Sequence, residues 1–226
     1  DSIQINGSSY DETTKIDLVE LATREFVQYL DAQNTDVQVG VAYFDGEGSD
    51  DSEPRTGVLQ PLTSNLGTVD SALSGLRQKL ANVVSGGPGS TPFDGDGDPD
   101  PANGSGIATG TYIGEGVDDA QGELADNGRS SARAANIVLS DGESFNGSGT
   151  TQFTSPQDAA TDARAASPTP ETDVYTISVG SANDGVLQQM AGAAGDAAGN
   201  DPQFFYDVDD PVAIPTVFGV LASQFV

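Results

Sequence analysis

Apolar residues along this chain fall into two alternating rhythms. Val19, Ala22, Phe26 and Leu30 recur three and four residues apart, predicting an amphipathic helix over about Lys15 to Leu30. Thr14, with Asp17 three residues on, resembles a capping box at its start. Val69, Leu73, Leu76 and Leu80 predict a second helix, and Val117, Ala120 and Leu124 a third. Between and beyond these lie short apolar runs, at Val37 to Phe44, Asn136 to Ser140, Val174 to Gly180 and Phe204 to Val208, each predicting a strand. The unbroken Ile137-Val138-Leu139 suits a strand covered on both faces. Val58 to Leu62 predicts a short edge strand. Ser155-Pro156-Gln157-Asp158 combines a cap, an early proline and an early acid, so a helix starts there. Leu187 to Ala191 predicts a short helix, and Pro211 opens a closing one with Val217, Leu221 and Phe225 inward. Near the beginning, Ser2 to Ile5 alternates like one arm of a hairpin and Asn6-Gly7 is a strong turn signal.

Helices and apolar strands in alternation predict an α/β fold: a doubly wound, mostly parallel sheet with helices on both faces. No internal repeat is evident, and residues 1–226 fit one domain. Ser85 to Gly106 is rich in Gly, Pro and Asp and lacks apolar residues to bury apart from Phe93, so it reads as a surface insertion.

Charge changes the picture next. Eight basic residues stand against 35 acidic ones, a net charge of −27. A magnitude of roughly 2–8 suffices for the solubility of a small domain. So large a negative charge repels nucleic acid and anionic lipid, which excludes both as expected partners. It also strains the compact state unless salt screens it. The Debye length falls from about 10 Å at 0.1 M salt to about 3 Å at 1 M. The composition therefore predicts a protein of a high-salt environment, and the apolar periodicity argues against disorder as the reason for the charge. Cysteine and histidine are both absent, which excludes disulfides, His/Cys zinc sites and His-based triads. No apolar run reaches the length of about 18 residues needed to span a bilayer, so direct membrane insertion by this segment is not expected. Because the sequence starts at Asp1, with neither a methionine nor a signal peptide, a processed or partial product is expected.

The apolar run Asn136 to Ser140 ends abruptly in Asp141-Gly142-Glu143. A carboxylate at the carboxyl end of a strand stands where open α/β sheets place their ligands. Upstream, Gly110-Thr111-Tyr112-Ile113-Gly114-Glu115-Gly116 offers a hydroxyl ahead of a helix. These two stretches, the Lys15 to Leu30 helix, Val39 to Phe44, Pro61-Leu62-Thr63 and the later elements, in this order, resemble von Willebrand factor A domains over nearly the whole chain outside the insertion. The resemblance implies a metal-ion-dependent adhesion site holding one divalent cation, usually magnesium, on top of the sheet. Thr111 would supply a hydroxyl and Asp141 a carboxylate, directly or through water, and a partner protein's carboxylate would complete the shell. Magnesium takes about six oxygens and sheds its waters reluctantly, which suits such a donor set. A helix cap is the alternative role for Thr111.

The sequence departs from that family at its first motif. No DxSxS sequence is present; Asn6-Gly7-Ser8-Ser9-Tyr10 fits it only by replacing the aspartate with asparagine and the last serine with tyrosine. The better reading places Asp1 just after the motif, with Ile3 to Thr14 forming the hairpin that leads to the first helix. The family's central first strand is then expected from an upstream segment or from a neighbouring subunit, since backbone pairing is a recognised source of affinity.

Two further groups are candidates. Asp94, Asp96, Asp98 and Asp100 alternate like the start of a calcium loop, although Pro99 stands where that loop needs glycine. Ca2+ binding and a merely solvated acidic loop are both open. Asn6, Asn103 and Asn146 each open an Asn-Gly-Ser triplet, an acceptor for N-glycosylation and also ordinary turn composition. No lysine follows the glycines of 114–116 as a phosphate-binding loop requires, and no nucleophile–base pair stands out, so an enzyme is not expected. The acidic composition points to a halophilic, haloarchaeal-type organism and an extracellular or cell-surface domain is expected, with metal-dependent adhesion or protein binding as the task that the resemblance implies. The alternative is a structural subunit of a surface filament or coat that takes a strand from a neighbouring chain.

Overall fold

The structure, a computed structural model, describes residues 2–5, 8–11, 15–33, 36–44, 56–74, 112–140, 154–165, 170–179, 184–196 and 198–226, with residues 2–5, 8–11, 15–17 and 211 described through their backbone. Strands β1 (Ser2–Ile5) and β2 (Ser8–Asp11) form the expected hairpin, antiparallel, with Ile5 opposite Ser8 at its closed end. Helix α1 (Lys15–Ala32) follows. Ala22, Phe26 and Leu30 of the predicted stripe are buried, joined by Leu18 and Val27, while Val19 is half-buried at its margin. Of the expected capping pair, Thr14 and the side chain of Asp17 lie outside what is described. Strand β3 (Val39–Phe44) pairs antiparallel with β4 (Thr56–Thr63), two residues longer than expected at its start, and α2 (Leu66–Leu73) follows. Leu76 and Leu80, assigned to that helix by their spacing, lie outside the described residues.

Helix α3 (Ile113–Asn127) leads into β5 (Ala134–Ser140). Helix α4 (Pro156–Arg164) then starts as its sequence predicts: the Ser155 side chain accepts a hydrogen bond from the Asp158 amide, with Pro156 in the first turn. Strand β6 (Thr172–Val179), α5 (Gly185–Met190) and β7 (Phe205–Val208) follow, and a 3-10 turn at Pro211–Ala213 enters α6 (Ile214–Ala222). Strands β5, β6 and β7 run parallel, with Leu139 opposite Ile177 and Ile177 opposite Tyr206.

Side chains alternate across this sheet, as the pleat requires. Tyr175, Ile177 and Val179 of β6, with Ala135, Ile137 and Leu139 of β5, face a core built by α1, α2 and α6. Val174 of β6 and Val138 of β5 face the opposite core, against Ile113 and Val117 of α3, the alanines of α4, and Leu187 and Met190 of α5. An α/β fold with a helix-flanked parallel sheet of β5, β6 and β7 follows the predicted alternation of elements, while β3 and β4 pair antiparallel.

Three inward faces differ from their expectation. In α3 the buried line is Ile113, Val117 and Gln121, whereas Ala120 and Leu124 are half-buried. A polar residue completes the stripe because the Gln121 amide donates to Pro170 O at 2.8 Å and accepts from the Thr172 hydroxyl at 2.9 Å. In α6 the inward residues are Ile214, Phe218, Leu221 and Ala222, while Val217 and Phe225 pack at the margin. Strand β5 is not covered evenly: Asn136, Val138 and Ser140 are buried and Ile137 and Leu139 half-buried, whereas every position of β6 is buried. Strand β6 has a hydrogen-bonded neighbour on each side; among the described residues β5 pairs with β6 alone, and β3 with β4 alone.

Candidate functional site

The orientation of α3 against β5 places the candidate site. Asn136 of β5 and Gln121 of α3 face each other through their side-chain amides, 3.5 Å apart, and Val138 meets Val117 and Ile113 one step further up. Helix and strand therefore run in opposite directions. Four strand residues from Asn136 to Ser140 rise about 13 Å, and nine helical residues from Gln121 back to Tyr112 rise about 13.5 Å. Ser140 and Tyr112 thus reach the same level, at the carboxyl end of the parallel strands. Both are buried, at 7% and 1% exposure.

The close fit of α3 depends on two of its glycines. A Cβ on Gly114 would stand 2.1 Å from the Thr154 carbonyl oxygen, and one on Gly116 2.7 Å from the Phe44 ring. The glycines noted in the Gly110 to Gly116 stretch thus let the helix start lie directly on the end of β3 and on the entry to α4.

Carboxylates gather at this end of the molecule. Glu115, in the first turn of α3, keeps one carboxylate oxygen buried with no hydrogen-bond partner among the described residues. Burial pushes its carboxyl above the ordinary value, and repulsion from Asp118 and Asp119 adds to this; backbone amides of Glu115 and Thr154 oppose it. Asp118 is likewise raised, first by loss of solvation, against a hydrogen bond to the Thr154 side chain, then by Asp162 and Asp119. Across the sheet, the Ser178 hydroxyl donates to Asp184, and the register places Ser140, Ser178 and Asp207 in one row over β5, β6 and β7. Loss of solvation, then Asp184 and Asp209, raises Asp207. Among the described residues, no three such side chains converge as a metal cage would require.

One expected result arises here. Glu115→Gln removes a charge whose folded state favours the proton. A carboxyl raised on folding contributes stability below its unfolded value of 4.5, lost as pH rises through the folded value. The Gln variant should therefore match the parent below about pH 4.5 and exceed it at neutral pH by less than about 1 kcal/mol, since solvent screens a part-exposed carboxyl, or at most about 2–4 °C in thermal midpoint. Thermal unfolding at several pH values checks this, and a constant difference across the range would refute it.

Thr111 and Asp141 lie outside the described residues, each directly beside one of the two buried positions that mark the crest, Tyr112 and Ser140. Tyr112 is itself the cap residue of α3, and no side-chain cap bond forms there. Asp94, Asp96, Asp98 and Asp100, and the acceptor asparagines Asn6, Asn103 and Asn146, also lie outside the described residues. The structure adds Glu115, Asp118, Ser178 and Asp184, none of which the sequence singled out by role. The serine within the apolar run Val174 to Val179 was the available signal for the last pair.

Parallel strands covered by helices on both faces, with carboxylates gathered at their carboxyl ends, define a doubly wound α/β domain. The chain belongs to the von Willebrand factor type A domain family, whose model matches residues 103–219. No curated protein matches it. Among solved structures it is similar to proximal thread matrix protein 1 from the mussel byssus, with TM-score 0.59 at 15% identity, over 93% of this chain and 41% of that one. It is also similar to the open conformation of the pilus adhesin SpaC from Lactobacillus rhamnosus GG, with TM-score 0.57 at 16% identity, over 93% of this chain and 28% of that one. The chain thus spans less than half of either protein, and at these identities the likeness is one of fold.

Proposed function

We propose that this domain binds a protein partner through a divalent cation, magnesium by the hardness of its donors, held at the crest by Thr111 and Asp141. The supporting observation is the common level of Tyr112 and Ser140. Each is one residue from a candidate ligand, and α3 and β5 run in opposite directions from the Gln121–Asn136 contact. A hydroxyl and a carboxylate are hard oxygen donors that leave most of an octahedral shell to water and to a partner. When bound, the cation would link this chain to a carboxylate of the partner. The pilus adhesin among the structural neighbours favours adhesion as the task, in a binding domain rather than a catalyst.

Magnesium titration of the 226-residue chain, followed by calorimetry, is the test. The parent should bind one cation; Asp141→Ala should abolish binding and Thr111→Ala weaken it about tenfold, the loss of one charge-assisted contact of about 1.4 kcal/mol. Unchanged affinity in Asp141→Ala would sink the proposal.

The setting belongs to the same proposal: an extracellular or cell-surface position in concentrated salt, as in a halophile, with the acidic loop around Asp94 to Asp100 open to Ca2+. A net charge of −27 supports the salt requirement. The thermal midpoint should rise steeply between 0.1 M and 1 M sodium chloride, as the screening length drops from about 10 Å to about 3 Å. A midpoint flat over that range would remove halophily from the account.

A scaffold role in a filament or coat is favoured by the thread matrix protein among the structural neighbours. Polymerisation that depends on concentration and ignores Asp141→Ala would select it over metal-dependent binding.

A further inference from the structure

A cleft of about 370 Å³ opens on the flank of the domain between α5 and the start of β7, lined by Gln188, Asn200, Asp201, Pro202 and Phe205. Strand β6 sets its walls. The Thr176 hydroxyl donates to the Leu187 carbonyl at 2.9 Å, and Thr176 lies opposite Phe205 in the register. Gln188 and Phe205 therefore flank the same point of the sheet. The crest is elsewhere: Phe205 opens β7 and Val208 ends it, about 10 Å further along the strand.

Main-chain bonds tie down the segment that closes the cleft. Gly199 and Asn200 are consecutive residues at φ +62° and +60°, and Asn200 is the one described residue other than glycine with a positive φ. At Gly199 no side chain fits, because a Cβ would stand 2.4 Å from the Gln189 carbonyl oxygen. Asp201 follows at once. Its amide donates to the Ala191 carbonyl at 3.0 Å, its carbonyl accepts from the Phe204 amide at 3.0 Å, and its Oδ1 accepts from the Gln203 amide at 2.9 Å. Asparagine holds a strained left-handed conformation at position 200, where glycine would be free of strain. A strained residue fixed by its surroundings points to function, and this one lines a cleft.

The chemistry of the lining selects a ligand class. Among the described residues, the Gln188 and Asn200 side-chain amides have no hydrogen-bond partner. Each offers donors and an acceptor, and the Asp201 carboxylate adds acceptors. Adjacent hydroxyls, which both donate and accept, match that set. Phe205 and Pro202 supply an apolar wall for the C–H face of a ring. One carboxylate is too few to cage a metal ion, which takes about six oxygens or more. An anion would meet a chain of net charge −27. The volume lies at the low end of the range of about 300–1,000 Å³ for small-molecule clefts, which suits one ring rather than a chain of them.

We propose that this cleft binds one neutral pyranose, its C–H face against Phe205 and its adjacent hydroxyls on Gln188, Asn200 and Asp201. The sugar is either free or the terminal residue of a glycan, and the contacts are the same in both cases. This site goes beyond the cation-dependent binding proposed above and uses none of its residues.

The test is amide NMR of the isotope-labelled 226-residue chain, titrated to about 100 mM with the methyl glycosides of glucose, galactose and mannose. At least one should shift the Gln188 and Asn200 side-chain signals to saturation, with Kd on the order of 1–10 mM. Gln188→Ala and Asn200→Gly should each weaken binding about tenfold through the lost amide. Asn200→Gly should also keep or raise the thermal midpoint, so that its weaker binding is not unfolding. A disaccharide ending in the preferred sugar that binds at least as well marks a glycan end, and one that is excluded marks a free sugar. The proposal is overturned if no glycoside moves these signals, if the open-chain polyol glucitol moves them equally, or if both variants bind as the parent does. Asp141→Ala should leave sugar affinity unchanged; loss of sugar binding in that variant would overturn a subsite separate from the cation.

Discussion

Arg164→Met should lower the unfolding free energy by about 2–5 kcal/mol, the cost of leaving buried acceptors without their donors. Arg164 ends α4 and is 1% exposed, the largest fully buried side chain among the described residues. Its guanidinium faces main-chain oxygens rather than a carboxylate. Nε donates to the Asp196 carbonyl at 2.7 Å, Nη1 to the Met190 carbonyl, and Nη2 to the Thr161 hydroxyl at 3.3 Å. Burial lowers its pKa, and the nearby Asp196 charge only partly opposes this. The segment after α5 is wrapped around this group: Gly199, at φ +62°, lies so close that a Cβ there would stand 2.7 Å from Nη2. Methionine fills similar space but leaves two carbonyls without donors, each costing about 1–3 kcal/mol. Arg164→Lys should recover only part of the loss, because a single ammonium cannot serve the planar fork of acceptors. The thermal midpoint of the Met variant should fall on the order of 10 °C; a change within one or two degrees would show that the loop does not depend on the guanidinium.

Gly114→Ala and Gly122→Ala should move stability in opposite directions, although both sit within α3. Helix propensity alone favours alanine over glycine by about 1 kcal/mol at either position. At Gly122 a Cβ meets nothing within 4 Å, so a gain of about 0.5–1 kcal/mol is expected. At Gly114 the Cβ would be 2.1 Å from the Thr154 carbonyl oxygen and 3.1 Å from the Ser155 carbonyl carbon. Backbone cannot yield as a flexible side chain does, and overpacking of this kind costs about 3 kcal/mol, which outweighs the propensity gain. Gly114→Ala should also disturb the crest, since Thr154 donates its backbone amide to Glu115 and its side chain pairs with Asp118. Urea unfolding of both variants measures the contrast. Two variants shifted in the same direction would mean that α3 does not rest on the α4 entry as described.

The placement of helices and strands was legible because burial repeats locally. Leu18 to Leu30 marks one face of α1, and Val174 to Val179 reads as a strand, without reference to any distant residue. The Ser155 cap and Pro156 are equally local, and α4 begins where they place it. The candidate crest was legible only as a pair of stretches, one ending β5 and one opening α3. The Gln121–Asn136 contact that brings those ends to one level joins residues 15 apart and has no periodic signature.

What the sequence determined by itself is the order and type of the elements, the sign and size of the charge, and the family resemblance, because each depends on residue identity and short-range spacing. Tertiary structure alone decided that an arginine of α4 sits dry among carbonyls, that Glu115 keeps an oxygen without a hydrogen bond, and that β3 and β5 are half-covered while β6 is sealed. Burial of that kind is set by which surfaces meet across long loops, and a carboxylate or guanidinium reads the same in sequence whether water or a backbone carbonyl lies beside it.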